Sequence, residues 1–303
     1  MKQVKLGERE ASVIAMGCMR LADRTLAQAE EVISSAIDCG VTLFDHADIY
    51  GKGQSEALFG QVLSRNPGMR EHMILQSKCG ICPEYYDMSY EHIMDSVHNS
   101  LRRLETDHLD ILLFHRPDIL AEEEEVGRAV QTLKQQGKVL AFGVSNMNPG
   151  QIRLLEQWTG EKMIADQLQL SLVHAGMVTT AINVNMDNED GTVQDGGILP
   201  FCRLNDITLQ AWSPLQYGMI KGCFIGDEKF PELNELLNDL ASKYGVTPAA
   251  IALAWILRLP GRIQIVTGTR NPIHIKEACA ADQVTLTRPE WYALYRACGY
   301  TQP

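Results

Sequence analysis

Several polar side chains that can carry protons stand at the ends of short apolar segments. Asp45 ends one such segment, Tyr50 follows five residues later, and Lys78 ends the next. A buried charge needs a partner, so we expect an ion pair between Asp45 and Lys78. A tyrosine beside that lysine would have its phenolate stabilised and its pKa lowered, which makes Tyr50 a candidate general acid.

The segments that carry these side chains belong to a regular alternation of strand and helix. Short β-rich runs are followed by amphipathic stretches, with helix N-cap patterns at Thr25, Thr247 and Thr287. This alternation predicts a parallel sheet, and the count of eight favours a (β/α)8 TIM barrel over an open doubly wound sheet. The predicted strands are residues 13–18, 41–47, 73–79, 109–115, 139–145, 163–169, 208–214 and 263–269.

Three segments lie outside the eight repeats. Residues 4–13 predict a small β-hairpin across the barrel bottom, and the pattern from Thr287 to Glu290 opens an extra C-terminal helix. Residues 171–197 are rich in Asn, Asp, Gly and Thr. We expect them to form a long irregular loop that covers part of the pocket at the C-terminal ends of the strands.

The length and the net charge of the chain limit its domain count and the kinds of partner it can bind. The chain has 303 residues without a Pro- or Ser-rich linker, so we expect one domain over residues 1–303. Its formal net charge of −11 disfavours nucleic acid and anionic membranes as partners. No apolar run reaches about 18 residues and no signal pattern opens the sequence, so a cytoplasmic protein is expected. The oligomeric state, monomer or small homo-oligomer, stays open.

Metal chemistry has little support in the sequence. Among eight cysteines only Cys79 and Cys82 have a C-x-x-C spacing. A single pair is a weak zinc signal, so two ordinary thiols are expected. A metal-dependent or two-carboxylate hydrolase would have only His46, Asp48 and His115 to draw on, and the neighbouring lysine would repel a cation. We therefore expect no metal site.

The candidate residues resemble a known catalytic set. In order and in strand position, Asp45, Tyr50, Lys78 and His115 match the tetrad of the aldo-keto reductases. Residues 44–51 and 101–115 are similar to two signatures of that family, and residues 183–187 resemble a bacterial subgroup of short, mostly uncharacterised members.

The resemblance implies a barrel that reduces an aldehyde or ketone with NADPH. Tyr50 would donate the proton, and Lys78 would be oriented by Asp45. A neutral His115 would hold the carbonyl oxygen by a hydrogen bond.

The resemblance also implies a dinucleotide extended across the barrel top, and no Rossmann or Walker motif is present to suggest another site. Ser145, Asn146 and Gln167 would bind the nicotinamide carboxamide, and Trp212 would lie flat under the ring. The other expected cofactor residues are Met19, Arg20, Ser213, Pro214, Leu215, Tyr217, Gly218, Ile220, Gly268, Thr269, Arg270, His274 and Glu277.

The sequence departs from better-known family members at the adenosine end. Many of them carry a Lys where Gly268 stands and an Arg where His274 stands, and both grip the 2′-phosphate. Thr269 and Arg270 remain, ahead of a helix whose N-terminal amides can hold a phosphate. NADPH is therefore expected as the cofactor, with NADH less favoured.

A second function stays open at this point. Some family members bind NADPH and modulate a partner with slow catalysis, so an NADP(H)-binding sensor or regulatory subunit is the alternative to a reductase. The substrate, a small carbonyl compound, is not specified further. Candidates for the pocket mouth are His46, Ile49, Tyr85, Tyr86 and His174.

Overall fold

Eight parallel strands close into a barrel in the computed structural model, which describes residues 1–303. Each strand pairs with the next along the chain, and the first pairs with the eighth. The (β/α)8 barrel is thereby confirmed. The barrel strands are Ile14–Gly17, Leu43–Asp45, Ile74–Cys79, Leu109–Phe114, Val139–Ser145, Met163–Gln169, Thr208–Trp212 and Ile263–Thr267.

Helices lie between successive strands and surround the barrel. They are α1 (Leu26–Asp38), α2 (Gln54–Arg65), α3 (Tyr90–Leu104), α4 (Glu123–Gln135), α5 (Pro149–Thr159), α6 (Gly176–Ile182), α7 (Ile198–Leu204), α8 (Pro231–Tyr244), α9 (Pro248–Leu257), α10 (Pro272–Cys279) and α11 (Arg288–Ala297). Antiparallel pairs lie outside the barrel: Gln3–Leu6 with Arg9–Ser12, Ile81–Cys82 with Tyr85–Tyr86, and Gln216–Tyr217 with Gly222–Cys223. The N-terminal hairpin and the extra C-terminal helix are confirmed.

The helix starts follow from local sequence. Thr25 and Thr287 form capping boxes with Gln28 and Glu290, in which each Thr side chain accepts a backbone N–H and each partner side chain accepts the Thr N–H. Thr247 caps α9 in front of Pro248. These caps satisfy backbone donors that the helix leaves without an internal partner.

Most predicted strands extend one or two residues too far. The second strand ends at Asp45, although the N–H groups of His46 and Asp48 still donate to the carbonyls of Gln76 and Lys78 at 2.8 and 3.1 Å. The chain thus leaves the ladder while its backbone donors stay satisfied. The alternation of apolar residues continues past the end of the strand, so the predicted strand is too long.

The expectation of an irregular loop over residues 171–197 is correct only in part. The segment contains α6 and a short 3-10 helix, Glu189–Gly191. It is fastened to the C-terminal end of the chain, where the Ala175 N–H donates to the Tyr300 hydroxyl at 3.1 Å and the Thr301 N–H to Asp190 at 2.9 Å. These contacts join residues more than 100 positions apart, so local sequence did not reveal them.

The C-terminal helix is locked to α9 by two tryptophans. The rings of Trp255 and Trp291 stack at 4.7 Å, and each indole N–H donates to the backbone carbonyl of the other residue at 3.1 and 3.0 Å. The pair therefore buries two large apolar surfaces without leaving a polar N–H unpaired. No single helix is long and apolar enough to cross a membrane; α8 and α9 reach that length only as a pair bent by 90°.

A layer of polar side chains crosses the barrel interior, whereas such barrels are usually filled by branched apolar side chains. Gln76, Gln210 and Gln264 are completely buried and come from the third, seventh and eighth strands. The Gln210 amide donates to Gln264 Oε1 at 2.8 Å and to Gln76 Oε1 at 3.0 Å. The three amides therefore form a continuous chain through the interior.

Helices α2 and α3 pack closely at Gly60, so a larger residue there should lower the stability of the fold. A Cβ on Gly60 would lie 2.1 Å from the Arg103 carbonyl oxygen, so Gly60→Ala forces the two helices apart. We expect a loss of about 1–3 kcal/mol in the free energy of unfolding, measured by urea denaturation. Gly68→Ala is the control, since nothing lies within 4 Å of its Cβ position. Equal stability of both variants would contradict this packing argument.

Candidate active site

A buried lysine joins the polar residues of the second and third strands. Lys78 is completely buried, and its Nζ donates to Asp45 Oδ2 at 2.7 Å, the His46 carbonyl at 2.8 Å and the Tyr50 hydroxyl at 3.1 Å. All three N–H donors of the ammonium are therefore used. The ion pair expected from the sequence forms, and it holds the tyrosine hydroxyl at its far end.

The tyrosine is placed by a tight turn after the second strand. Tyr50 begins a 3-10 turn, and the next residues, Gly51 and Lys52, have φ values of 57° and 56°. A Cβ on Gly51 would lie 2.5 Å from the Ala22 side chain, so glycine is required here for space as well as for conformation. This turn brings the hydroxyl back over the strand ends.

The expected lowering of the tyrosine pKa is wrong. Burial raises the pKa of Tyr50 above its ordinary value, and the lowering by Lys78 does not offset it, because Asp45 also opposes the phenolate. Burial lowers the pKa of Lys78, yet Asp45 and Tyr50 outweigh it and the net pKa is raised. At neutral pH the site therefore holds a phenol and an ammonium.

A histidine from the fourth strand completes the set. His115 directly follows Leu109–Phe114, and its ring lies edge-on to Tyr50 with the centroids 6.1 Å apart. Burial, Lys78 and Arg116 lower the pKa of His115 well below its usual range. The imidazole is therefore neutral, as the sequence analysis expects, and the four candidate catalytic residues lie together.

The expected nicotinamide residues form a connected group beside the tetrad. The Asn146 amide donates to Ser145 Oγ at 2.8 Å, and Ser145 Oγ donates to the Gln167 carbonyl at 2.8 Å. Trp212 Nε1 donates to Asn146 Oδ1 at 3.2 Å, which fixes the half-buried indole. The ends of the fifth, sixth and seventh strands thus present one interlinked surface.

Three of the eight non-glycine residues with a positive φ lie in these same loops. Asn146, Ser213 and Ile220 have φ values of 59°, 49° and 56°, which side-chain-bearing residues seldom adopt. Such strain persists only where the surroundings hold it, and it is common at ligand sites. The loop after the seventh strand is held by Gln169, whose amide donates to the Gly218 carbonyl.

The expected adenosine end lies around the start of α10. Arg270 pairs with Asp23, with 2.6 Å between Nη1 and Oδ2, and Asn271 caps the helix by accepting the Ile273 N–H. Gly268 is exposed with open space around it. A cavity of ≈ 240 Å³ lies between Arg270 and Arg24 of the first loop.

The other expected cofactor residues lie nearby in the fold. Met19 and Arg20 are exposed just after the first strand. Pro214 is buried, while Leu215 and Tyr217 are half-buried in the seventh loop, and Thr269, His274 and Glu277 are on or before α10.

Two residues of the site were missed by the sequence analysis. Gln76 donates to Asp45 Oδ1 at 2.6 Å, and Gln210 accepts a hydrogen bond from Gln76. Gln167, expected only at the carboxamide, also donates to Asp45 Oδ1 at 2.9 Å. The spacing of Gln76 two residues before Lys78 was the available signal, since such residues share one face of a strand.

The pocket mouth differs in part from expectation. Ile49, Tyr85, Tyr86 and His174 are exposed, but His46 is completely buried. Its ring packs edge-on to the Phe59 ring, with 4.6 Å between the two ring centroids. His46 therefore does not line the mouth. Asp45 directly precedes it and Ala47 directly follows, so the direction of the His46 ring could not be assigned from the pattern alone.

The C-x-x-C pair does not act as one unit. Cys79 is buried at the strand end, while Cys82 lies on the small hairpin with His92 and Asp87 within 4.8 Å. The Cys82 sulfur lies 3.7 and 3.9 Å from the two nitrogens of the His92 ring. Being nearly equidistant, it faces the ring instead of one nitrogen lone pair, which is poor geometry for a shared metal.

A closed barrel with a Tyr, Lys, Asp and His set at its C-terminal mouth defines a class of barrel oxidoreductases. The chain belongs to the aldo/keto reductase family, whose sequence profile matches residues 13–297.

Known relatives cover nearly the whole chain. The 6-dehydroglucose reductase of Agrobacterium fabrum is 34% identical over 97% of both chains. Oxidoreductase YdhF of Escherichia coli is 35% identical over 97% of this chain and 96% of its own. An aldo-keto reductase from Klebsiella pneumoniae, solved in complex with NADPH, superposes with a TM-score of 0.79 at 27% identity, covering 100% of this chain and 96% of the other.

The buried histidine predicts a specific acid sensitivity. Burial and Lys78 lower the pKa of His46 from 6.5 to about 3, so below pH 6.5 the unfolded chain takes up a proton that the folded chain does not. Stability is therefore lost as pH falls through this window. Between pH 7 and about pH 4 we expect the free energy of unfolding of the parent to fall by on the order of 3 kcal/mol more than that of His46→Leu, as measured by urea denaturation.

The exposed His72 supplies the control for this measurement. His72→Leu should keep the pH dependence of the parent. Parallel curves for the parent and His46→Leu would show that the buried imidazole does not titrate as argued.

Proposed function

We propose that the chain, as one domain over residues 1–303, reduces an aldehyde or ketone to an alcohol with NADPH. One observation carries the proposal: the Lys78 ammonium bridges the Asp45 carboxylate at 2.7 Å and the Tyr50 hydroxyl at 3.1 Å, both within the barrel mouth. A proton donor backed by a buried cation is what a carbonyl oxygen needs as it gains negative charge.

Each residue of the tetrad has a distinct task in this proposal. Tyr50, protonated at neutral pH, donates its hydroxyl proton to the carbonyl oxygen. Lys78 stabilises the phenolate left behind, and Asp45 fixes the ammonium in place. The neutral His115, whose ring lies edge-on to Tyr50, donates a second hydrogen bond that orients the carbonyl group.

The residues present fit a nicotinamide dinucleotide. When bound, NADPH supplies the hydride. Both N–H donors of Gln167 are already used, on Asp45 and Gln210, so its Oε1 is left as an acceptor for a carboxamide NH2. The half-buried Trp212 offers a flat face, and the strained turns at Asn146 and Ser213 shape the surface beside it.

NADPH is proposed over NADH on the charge at the adenosine end. Arg270, which pairs with Asp23, and the backbone N–H groups at the start of α10 are the donors available there to a 2′-phosphate. The Klebsiella pneumoniae structure with NADPH, similar over the whole chain, supports this choice. Two relatives at 34% identity are named 6-dehydroglucose reductases, so an oxidised sugar is the first carbonyl to assay.

The proton donor is tested with Tyr50→Phe. Removal of one hydroxyl should lower turnover by about 10²–10⁴-fold while NADPH still quenches tryptophan fluorescence with unchanged affinity. Turnover is followed at 340 nm over a panel of carbonyl compounds. Tyr292→Phe, in the middle of α11, should behave as the parent.

Two results would contradict this assignment. A Tyr50→Phe variant as active as the parent would remove the tyrosine from the reaction. A parent that binds NADPH but reduces none of the panel would favour a nucleotide sensor over a reductase.

The cofactor preference is tested with Gly268→Lys. The position is exposed and nothing lies within 4 Å of an added Cβ, so the longer side chain fits without strain. A new cation beside Arg270 should tighten NADPH binding by roughly tenfold with little change for NADH, because only NADPH carries the extra phosphate. Gly68→Lys adds the same charge elsewhere and should leave the preference unchanged. Equal gains for both dinucleotides would place the 2′-phosphate away from this loop.

A further inference from the structure

We propose that Gln210, a buried residue on the seventh strand, is a positioning residue that holds the Asp45–Lys78–Tyr50 line in its active geometry. It acts through the amides of Gln76 and Gln167, which both donate to Asp45. The expected effect on kcat rests on the proposed function. The expected orientation of the amides rests on the hydrogen bonds alone.

At the end of the amide network nearest the barrel mouth, the Asp45 carboxylate can only accept hydrogen bonds. Asp45 Oδ1 receives Gln76 Nε2 at 2.6 Å and Gln167 Nε2 at 2.9 Å, while Oδ2 receives Lys78. An ionised carboxylate has no proton to give, so both amides must turn their NH2 groups toward it. Either amide turned the other way would set an oxygen against the carboxylate.

Gln210 is the acceptor that both amides share. Its Oε1 receives the second N–H of Gln76 at 2.9 Å and of Gln167 at 3.0 Å. Each of the two amides is thus held at two points, Asp45 on one side and Gln210 on the other. Rotation of either amide would break at least two buried hydrogen bonds at once.

The bottom of the chain is fixed in the same sense. Gln210 Nε2 donates to Gln76 Oε1 and Gln264 Oε1, and Gln264 Nε2 donates to the Ser12 backbone carbonyl at 2.6 Å. A carbonyl also only accepts. Because acceptors stand at both ends, each amide in the chain has one permitted orientation.

Gln210 itself makes no hydrogen bond to the tetrad. Its hydrogen-bond partners are the three other glutamines, and it is completely buried below the mouth. Without its oxygen, Gln76 and Gln167 would each keep a buried N–H with no acceptor and would turn to find one. Asp45 would then shift, and Lys78 and the Tyr50 hydroxyl with it.

The test is Gln210→Leu, which keeps the side-chain volume and removes the amide. We expect kcat to fall by roughly tenfold to hundredfold, because small misplacements of reacting groups are costly. The KM for the carbonyl substrate should stay within about twofold, since Gln210 lies below the expected ligand-binding surface. The KM for NADPH should rise, because Gln167, whose Oε1 is proposed to hold the carboxamide, loses one of its two anchors. A kcat within twofold of the parent in a folded variant overturns the proposal, as does a change confined to KM.

Thr208→Val is the matched control. Thr208 is completely buried two residues earlier on the same strand, so it shares the face of Gln210, and its hydroxyl donates only to the Lys5 carbonyl at 2.6 Å. The substitution removes a buried hydrogen bond with no link to Asp45. It should lower stability while leaving kcat unchanged, which separates positioning from general loosening. An equal fall in kcat would overturn the proposal.

Gln210→Met serves if the leucine variant does not fold, because methionine is unbranched and close to glutamine in length. The same fall in kcat at a steady KM for the carbonyl substrate is expected, and parent-like kcat overturns the proposal.

A structural readout keeps the inference apart from the proposed function. In protein labelled with 15N-glutamine, the side-chain N–H protons of Gln76 and Gln167 should exchange slowly with solvent, and this protection should drop in Gln210→Leu. Protection that is absent in the parent, or unchanged in the variant, overturns the inference. A parent without carbonyl reduction but with these protected protons would refute the proposed function alone.

Discussion

The burial of the Lys78 ammonium is the constraint on which the site depends. Removing a charge from water costs several kcal/mol, and an ion pair repays this only when every remaining donor and lone pair is satisfied. Here the ammonium uses Asp45, the His46 carbonyl and the Tyr50 hydroxyl, and Asp45 in turn receives two glutamine amides. Two of the buried glutamine amides thus satisfy the carboxylate that pairs with that charge.

The same burial sets the protonation states. Low exposure and the nearby ammonium keep His115 neutral, and burial keeps the Tyr50 phenol protonated even beside a cation. A proton donor and a neutral hydrogen-bond donor thus lie side by side at neutral pH. Charge that develops on a carbonyl oxygen between them would be stabilised by groups that are already oriented, which is the main source of electrostatic catalysis.

Much of this arrangement could be predicted from the residues. The eight strands, the capping boxes of α1 and α11 and the closeness of Asp45, Lys78 and Tyr50 follow from patterns within a few residues, because parallel strands bring their C-terminal ends to one face. The tyrosine pKa was predicted in the wrong direction because burial, which a sequence does not report, outweighs the neighbouring charge. The expectation for the segment 171–197 was only partly correct because its partners are at the far end of the chain.

The sequence by itself determined the family and the barrel, and it supplied the four candidate residues of the proposed tetrad, since all of these are carried by spacing along the chain. Only the tertiary structure decided which buried amides serve Asp45, that His46 points into the core, and that residues 171–197 pack against the C-terminal end. The physical reason is that hydrogen-bond direction and depth of burial depend on residues brought together by folding, such as Gln76 and Gln210, which lie 134 positions apart.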